Sequence, residues 1–395
     1  MNTSLKGNIS SFYLNHYNYQ NMDINGRIRN GLFKGKFTVD DPNLIFNFNG
    51  QASFAKDTSM YDFVATIGKA DLYQLHLVKD TVAVVSSELD INFKAVDFED
   101  WTGSFVVSNA TYENASNYYF FQDILVESYF TDTSRVLAVE SNIVEANVSG
   151  DFTFSGLGKA FGSHFQRYTK AKKTIETPEG EYFDFDITVK NTQLITEIFI
   201  PELTVESNTH LTGNYNSQQR LLSADLNSAR IVYNENKVDN IDLTYRGDTS
   251  DSELNFFVGS LALNGGMEFD SIKLGNFYYK DTLFYTLEWI LRDSIDSRTR
   301  LTGYALQKDS SSFEFGIDSS RFNIGAQSFM INNTNRIYID TGGVHIEDLV
   351  FSNGPERKMY INGSVSDSDN EILRVNLRGF GFDIINYFLA TPEAR

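Results

Sequence analysis

The chain has 395 residues, 41% of them hydrophobic and only 5 of them Pro, which excludes a disordered tract and leaves room for one to three domains. A formal net charge of −19 repels phosphate backbones, so nucleic acid is not expected as a partner. With no Cys there is no disulfide, thiolate zinc site or thiol nucleophile, although that fixes no compartment. The 33 Phe and 21 Tyr favour strands.

The opening MNTSLKGNISSFYL carries one Lys and no apolar core of signal length, and strand-like sequence starts at Leu5. We therefore expect an internal piece of a longer chain, for which a missing signal says nothing about location. No run of about 18 apolar residues predicts a spanning helix. A two-residue period then appears in the form apolar-x-Gly-x-apolar. It centres on Gly7, Gly26 (Ile24 to Ile28), Gly35, Gly50, Gly103, Gly150, Gly213, Gly265, Gly303 (Leu301 to Ala305) and Gly363 (Ile361 to Val365). Between these, Leu44, Phe46 and Phe48 form an apolar row, as do Ile91, Phe93 and Ala95. Val144, Ala146, Val148 and Phe152 form another, as do Phe183, Phe185, Ile187 and Val189. Polar clusters such as YNENKVD and GDTSDSE read as turns. Spacings of about 8–14 residues predict antiparallel meanders and on the order of 25–30 strands.

One segment changes period. From Leu157 to Lys173 an apolar stripe of Leu157, Ala160, Phe161, His164, Phe165 and Tyr168 faces away from Lys159, Gln166, Arg167, Lys170 and Lys173, predicting a basic amphipathic helix of about four turns that packs on the sheet or, as the alternative, meets a membrane or another protein through its basic face. A shorter helical piece is expected from Phe380 to Ala390. This divides the chain into a β segment over 1–154, a helix over 155–175 and a β segment over 176–395.

Chemistry-bearing motifs are few. Gly156-Leu-Gly158-Lys-Ala-Phe-Gly162 lies between strand and helix, but its third Gly is one residue late for a dinucleotide loop. His16, His76, His164, His210 and His345 are scattered, and His164 falls on the helix's apolar stripe. Asp367, Asp369 and Glu371 lack the Gly and distal Glu of a calcium loop. No catalytic residue, metal or cofactor is expected.

An inward Gly marks a bend, a bulge or a close backbone approach. In a sandwich such a row would leave holes, whereas a sheet that curls on itself needs side-chain-free points. The pattern predicts an all-β chain: a long curled antiparallel sheet whose apolar face forms a groove, with one amphipathic helix. At about 4.8 Å per strand it would run roughly 120–145 Å. The groove would be lined by Ile24, Ile28, Leu44, Phe46, Phe48, Val144, Ala146, Val148, Phe152, Phe183, Phe185, Ile187, Val189, Leu301, Ala305, Ile361 and Val365, with the ten glycines on the same face.

The Gly-centred strands, FTVDDPNLIFNFNGQASF with FVATIGKADLYQLHL, VSGDFTFSGLGKAFGSHFQRY, LFYTLEWILRD, FMINNTNRIYID and the closing INGSVSDSDNEILRVNLRGFGFDIINYFL resemble the AsmA-like family, in particular the TamB-type translocation and assembly proteins of Bacteroidota. The resemblance covers essentially the whole chain. It implies a hydrophobic groove held in the periplasm between inner and outer membranes, carrying phospholipid acyl chains or assisting outer-membrane protein assembly. It also implies an Omp85-type barrel partner and an inner-membrane anchor in the parent chain; neither anchor nor docking segment is evident here, as suits an internal piece. Two other classes share the alternation: an outer-membrane β-barrel and a structural extracellular β-protein with a sealed core.

Overall fold

The computed structural model describes residues 2–53, 59–79, 82–97, 99–170, 174–292, 298–324, 327–366 and 372–380. Nearly everything in it is strand. Among the described residues there are 27 strands, all paired antiparallel where their registers are given, and two helices. The chain divides into two compact units. One comprises Met1–Leu157 and Glu181–Pro201, the other Gly158–Gly180 and Glu202–Arg395.

The first unit holds β1 (Asn2–Leu14), β2 (Tyr17–Arg29), β3 (Leu32–Asp41), β4 (Leu44–Ser53), β5 (Ser59–Asp71), β6 (Ala83–Ala95), β7 (Trp101–Asn114), β8 (Tyr118–Phe121), β9 (Ile124–Phe130), β10 (Arg135–Glu140), β11 (Val144–Asp151) and β12 (Tyr182–Val189). Each pairs with its sequence neighbour up to β7. There the long strand takes β8 against Ala110–Glu113 and β9 against Gly103–Val107, and β9 to β12 then follow in order.

The second unit holds β13 (Leu203–Val205), β14 (Thr209–Asn216), β15 (Leu221–Tyr233), β16 (Asn236–Gly247), β17 (Asp251–Ala262), β18 (Glu268–Tyr279), β19 (Thr282–Leu291), β20 (Arg298–Gln307), β21 (Phe313–Ile317), β22 (Ser320–Ile324), β23 (Gln327–Ile331), β24 (Arg336–Asp340), β25 (Gly343–Asn353), β26 (Arg357–Ser366) and β27 (Leu373–Arg378). From β14 to β20 it is a plain meander.

Local sequence sets these connections. Two-residue hairpin loops want φ > 0 at both central residues, because that twist matches the flanking strands. Asn15-His16, Asn30-Gly31, Asn234-Glu235 and Lys280-Asp281 all supply it, with φ between 48° and 82°. Inside strands, Asn21, Asn109, Asn240, Ser271 and Asp348 also take left-handed φ near 50°. At Asn109, Ser271 and Asp348 the register shifts, as between Ser86↔Thr111 and Glu88↔Ser108, whereas at Asn21 and Asn240 it does not. Such bulges add local bend and twist to a sheet.

Helix α1 spans Phe154–Gln166, shorter than the expected 155–175. Thr153 caps its start: Gly156 N–H donates to Thr153 Oγ1 (3.0 Å), and the buried Glu181 accepts from Thr153 N–H and O–H at 3.1 and 2.7 Å. It ends early because Arg167, Tyr168 and Thr169 donate their N–H groups to carbonyls three residues back, tightening the last turn. Lys173 lies outside the described residues. A second helix, α2 (Gln193–Phe199), was not expected, and the helical piece proposed from Phe380 to Ala390 lies outside the described residues beyond Phe380.

Candidate functional site

Residues directly opposite in an antiparallel pair project from the same face, so the registers trace each face across many strands. In the first unit one such row runs Gly7, Ile24, Phe37, Phe48, Ala65, Leu89, Val107, Ile124. The adjacent row runs Leu5, Gly26, Gly35, Gly50, Phe63, Ile91, Phe105, Val126, Val139, Ala146, Ile187. A third begins Thr3, Ile28, Phe33, Ala52, Tyr61, Phe93 and ends Leu137, Val148, Phe185. Aromatic rings stack along it and onto the adjacent row, with centroids 4.6 Å apart for both Tyr61–Phe93 and Phe93–Phe105. Val144 and Val189 share this face at its end, and Leu44 sits opposite Asp41, a buried carboxylate satisfied by Tyr17 O–H, Gln20 N–H and Asn43 N–H. The opposite face carries exposed Asn47, Glu145, Asn147, Asp184 and Asp186.

Phe183 and Phe185 are buried, but Ile24, Leu44, Phe46, Phe48, Val144, Ala146, Val148, Ile187 and Val189 are only half-buried and Ile28 is exposed. Phe152 differs from the rest: it follows the end of β11 and is buried at the turn into α1, between the rings of Phe154 and Phe183.

The second unit repeats the pattern with its own strands. Leu211, Leu226, Leu243, Phe256, Leu274, Leu287 and Leu301 form one row across seven neighbouring strands, all half-buried. Beside it run Gly213, Ala224, Tyr245, Leu254, Asn276, Tyr285, Gly303, and then Leu222, Gly247, Ser252, Tyr278, Leu283, Ala305. Further on, Gly363 faces Ile346 and Leu373, Ile361 faces Leu349 and Val375, and Val365 faces Val344 while remaining 55% exposed. A face sealed by a second layer would hold such side chains below a tenth of their free area. Most of these stay partly open to solvent, although Leu222, Tyr245 and Leu349 are buried.

The inward glycines have a physical reason. At Gly103 φ is +132°, and a Cβ there would meet Asn92 O at 2.1 Å and Phe93 Cα at 2.6 Å. The neighbouring strand passes too close for any side chain, and the Phe93 ring opposite covers the gap. Gly7 and Gly265 are exceptions, since a Cβ at either would meet nothing within 4 Å, and Gly265 lies in the turn between β17 and β18, not in a strand.

Helix α1 meets the second unit's apolar face, though not with the stripe the sequence suggests. The residues it buries there are Ala160, Ser163 and His164, whereas Phe161 and Phe165 are 36% and 47% exposed. The large rings line a cavity instead, because a polar cluster occupies the contact. His164 Nε2 and Tyr245 O–H lie 2.7 Å apart, and Arg167 donates to His164 Nδ1. Tyr168 O–H donates to Asp248 O at 2.9 Å. Burial, aided by the positive charge of Arg167, pushes the His164 pKa down to about 3, so the ring is neutral. Burial likewise raises the Tyr245 and Tyr168 hydroxyls. Gly247 makes the cluster possible, since a Cβ there would lie 2.4 Å from Tyr245 Oη and 2.7 Å from His164 Nε2. Sequence reading found His164 as packed but missed Tyr245 and Gly247, which lie some 80 residues away.

Between α1 and strands β15 to β21 lies a cavity of about 630 Å³. Phe161, Phe165, Leu243, Leu254, Leu283 and Ala305 make its apolar lining, and Arg167, Tyr168 and Lys170 line it from the helix end. Two buried polar atoms of this region lack hydrogen-bond partners, Arg167 Nη1 and Asp251 Oδ1. Of these residues, Arg167 lines the cavity.

Gly156, Gly158 and Gly162 lie within α1 and form no phosphate loop, and Asp367, Asp369 and Glu371 fall outside the described residues. Among the described residues no group of three His, Asp or Glu could hold a metal, and no helix is long and apolar enough to cross a membrane. Compared with known proteins, the chain matches no family model, no curated protein and no solved structure.

Proposed function

We propose that this chain is a lipid-conducting segment of a periplasm-spanning bridge of the AsmA-like, TamB type, whose apolar β-face carries phospholipid acyl chains between inner and outer membranes, with a role in outer-membrane protein assembly through an Omp85-type barrel partner of the parent chain. One observation carries the reading. Apolar rows continue from strand to strand within each unit, and many of their side chains stay half-open, including the whole row from Leu211 to Leu301.

Energetics favour that use. A 16-carbon acyl chain costs roughly 12 kcal/mol to hold in water at about 0.8 kcal/mol per CH₂. A continuous apolar face offsets that cost strand by strand, so a chain can move along it without a large barrier at any one step. The wet face, with Glu145, Asp184 and Asp186, keeps the other side in solvent. Native mass spectrometry after detergent-free purification tests the reading: we expect phospholipid adducts, whereas a clean apoprotein mass would favour a structural β-protein.

A further inference from the structure

We infer that the cavity beneath α1 is a discrete binding site for one anionic, single-chain amphiphile, its head held by Arg167 and its tail running inward along the second unit's apolar face. This rests on the acyl-carrying reading above and adds to it a fixed site with a charge preference.

The volume, about 630 Å³, falls within the range of small-molecule sites. Its lining crosses from β15 to β21, six strand spacings or about 29 Å of sheet, against a reach of about 15 Å for one acyl chain in half a bilayer core. The floor is ordered. Leu222, Ser252 and Leu283 lie near the strand ends, Leu254 is the next row inward, and Leu243 belongs to the half-open row of Phe256, Leu274, Leu287 and Leu301 beyond it. A tail entering under Phe161 and Phe165 therefore meets mainly apolar surface, interrupted by Ser252 and Asn276.

The head position follows from Arg167. Its Nε donates to His164 O, and its Nη2 to Arg220 O and His164 Nδ1. Nη1 is buried and has no acceptor. A buried cationic donor without a partner is costly, and a carboxylate or phosphate oxygen would satisfy it with a charge-assisted bond. Lys170 lines the same end. Of the acidic groups nearby, Asp248 accepts from Ser250 and Asp251 N–H and also feels the Arg167 charge, Asp309 accepts from Ser311 and Ser312 N–H, and Asp281 accepts from Tyr278 O–H; Asp251 Oδ1 is buried without a partner. His164 is neutral and adds no second positive charge. The shared chemistry is one anionic head on one alkyl chain, supplied by a fatty acid or by a lysophospholipid.

Calorimetric titration of the whole chain with palmitate, hexadecanol, lysophosphatidylglycerol and lysophosphatidylcholine tests this. We expect one palmitate per chain, bound at least tenfold tighter than hexadecanol. Lysophosphatidylglycerol exceeding lysophosphatidylcholine by a similar factor would identify phosphate as an accepted head, and palmitate preference alone a carboxylate site. Arg167→Gln should abolish the charge preference while hexadecanol still binds, and Arg167→Lys should keep part of it. Ala305→Phe, which fills the cavity without touching the polar cluster, should weaken every ligand at least tenfold. Equal affinity of the wild type for palmitate and hexadecanol would overturn the inference, as would palmitate binding indifferent to Ala305→Phe. If phospholipid co-purifies but palmitate ignores both Arg167→Gln and Ala305→Phe, this site fails while the wider function stands. If palmitate shows these preferences but no phospholipid co-purifies, the wider function fails and the site remains.

Discussion

Replacing Gly103 by Ala adds one methyl group and should weaken the first unit severely. The new Cβ would lie 2.1 Å from Asn92 O and 2.6 Å from Phe93 Cα, both backbone atoms of the paired strand, and φ is +132°. Holding an L-residue in such a conformation costs about 1–3 kcal/mol. Moving the neighbouring strand aside costs about as much again, by analogy with overpacked cores. A total near 4 kcal/mol lowers the melting temperature of a unit this size by about 8–16 °C. The assay is simple because the chain has 2 Trp, and Trp101 lies on the same strand as Gly103. In a Trp289→Phe background, Trp101 fluorescence reports the first unit alone. The matching control is Gly158→Ala, on an exposed part of α1 with open space around the new methyl; it belongs to the second unit and is read by Trp289 in a Trp101→Phe background, where the same change should stabilise by about 0.5–1 kcal/mol. Unchanged melting with Gly103→Ala would refute the claim that close strand approach, rather than chance, puts glycine in the apolar row.

Val148→Asp should remove co-purifying phospholipid, because an unpaired carboxylate on the apolar face is costly, whereas Asp184→Lys on the wet face should leave it unchanged; lipid extraction and quantification checks both. Ala160→Asp should cost about 3 kcal/mol or more, since Ala160 is fully buried, while Phe161→Asp should change the unfolding free energy by less than about 1 kcal/mol; denaturant melts check both. His164 gives a pH dependence. Its pKa is near 3 when folded and about 6.5 when unfolded, so below pH 6.5 the unfolded chain binds the extra proton and stability falls with pH. Between pH 7 and 5 this amounts to about 2 kcal/mol, and denaturant melts of His164→Phe should lack that slope.

Much of the fold is legible because alternation is a local signal. Val144, Ala146 and Val148 announce their shared face, and the registers join them to Ile187 and Phe185. The bulges at Asn109, Ser271 and Asp348 are not legible, since a polar residue in mid-strand reads as a wet-face position rather than a phase slip. Helix α2 is hidden by its seven-residue length, too short for a 3.6-residue period to declare itself. The buried side of α1 fails for a different reason. A helical wheel ranks Phe161 and Phe165 as core, but what docks is set by Tyr245 and by the missing side chain of Gly247, a pairing visible only in three dimensions.

Photocrosslinking tests the central claim most directly. A benzophenone amino acid placed at Val148 or Leu243, on the apolar face, and at Asp184 or Asp242, on the wet face, would be irradiated in envelopes of cells labelled with radioactive phosphate. The account predicts phospholipid label on the chain at Val148 and Leu243 and none at Asp184 and Asp242. Equal labelling at all four positions, or none at Val148 and Leu243, would contradict it.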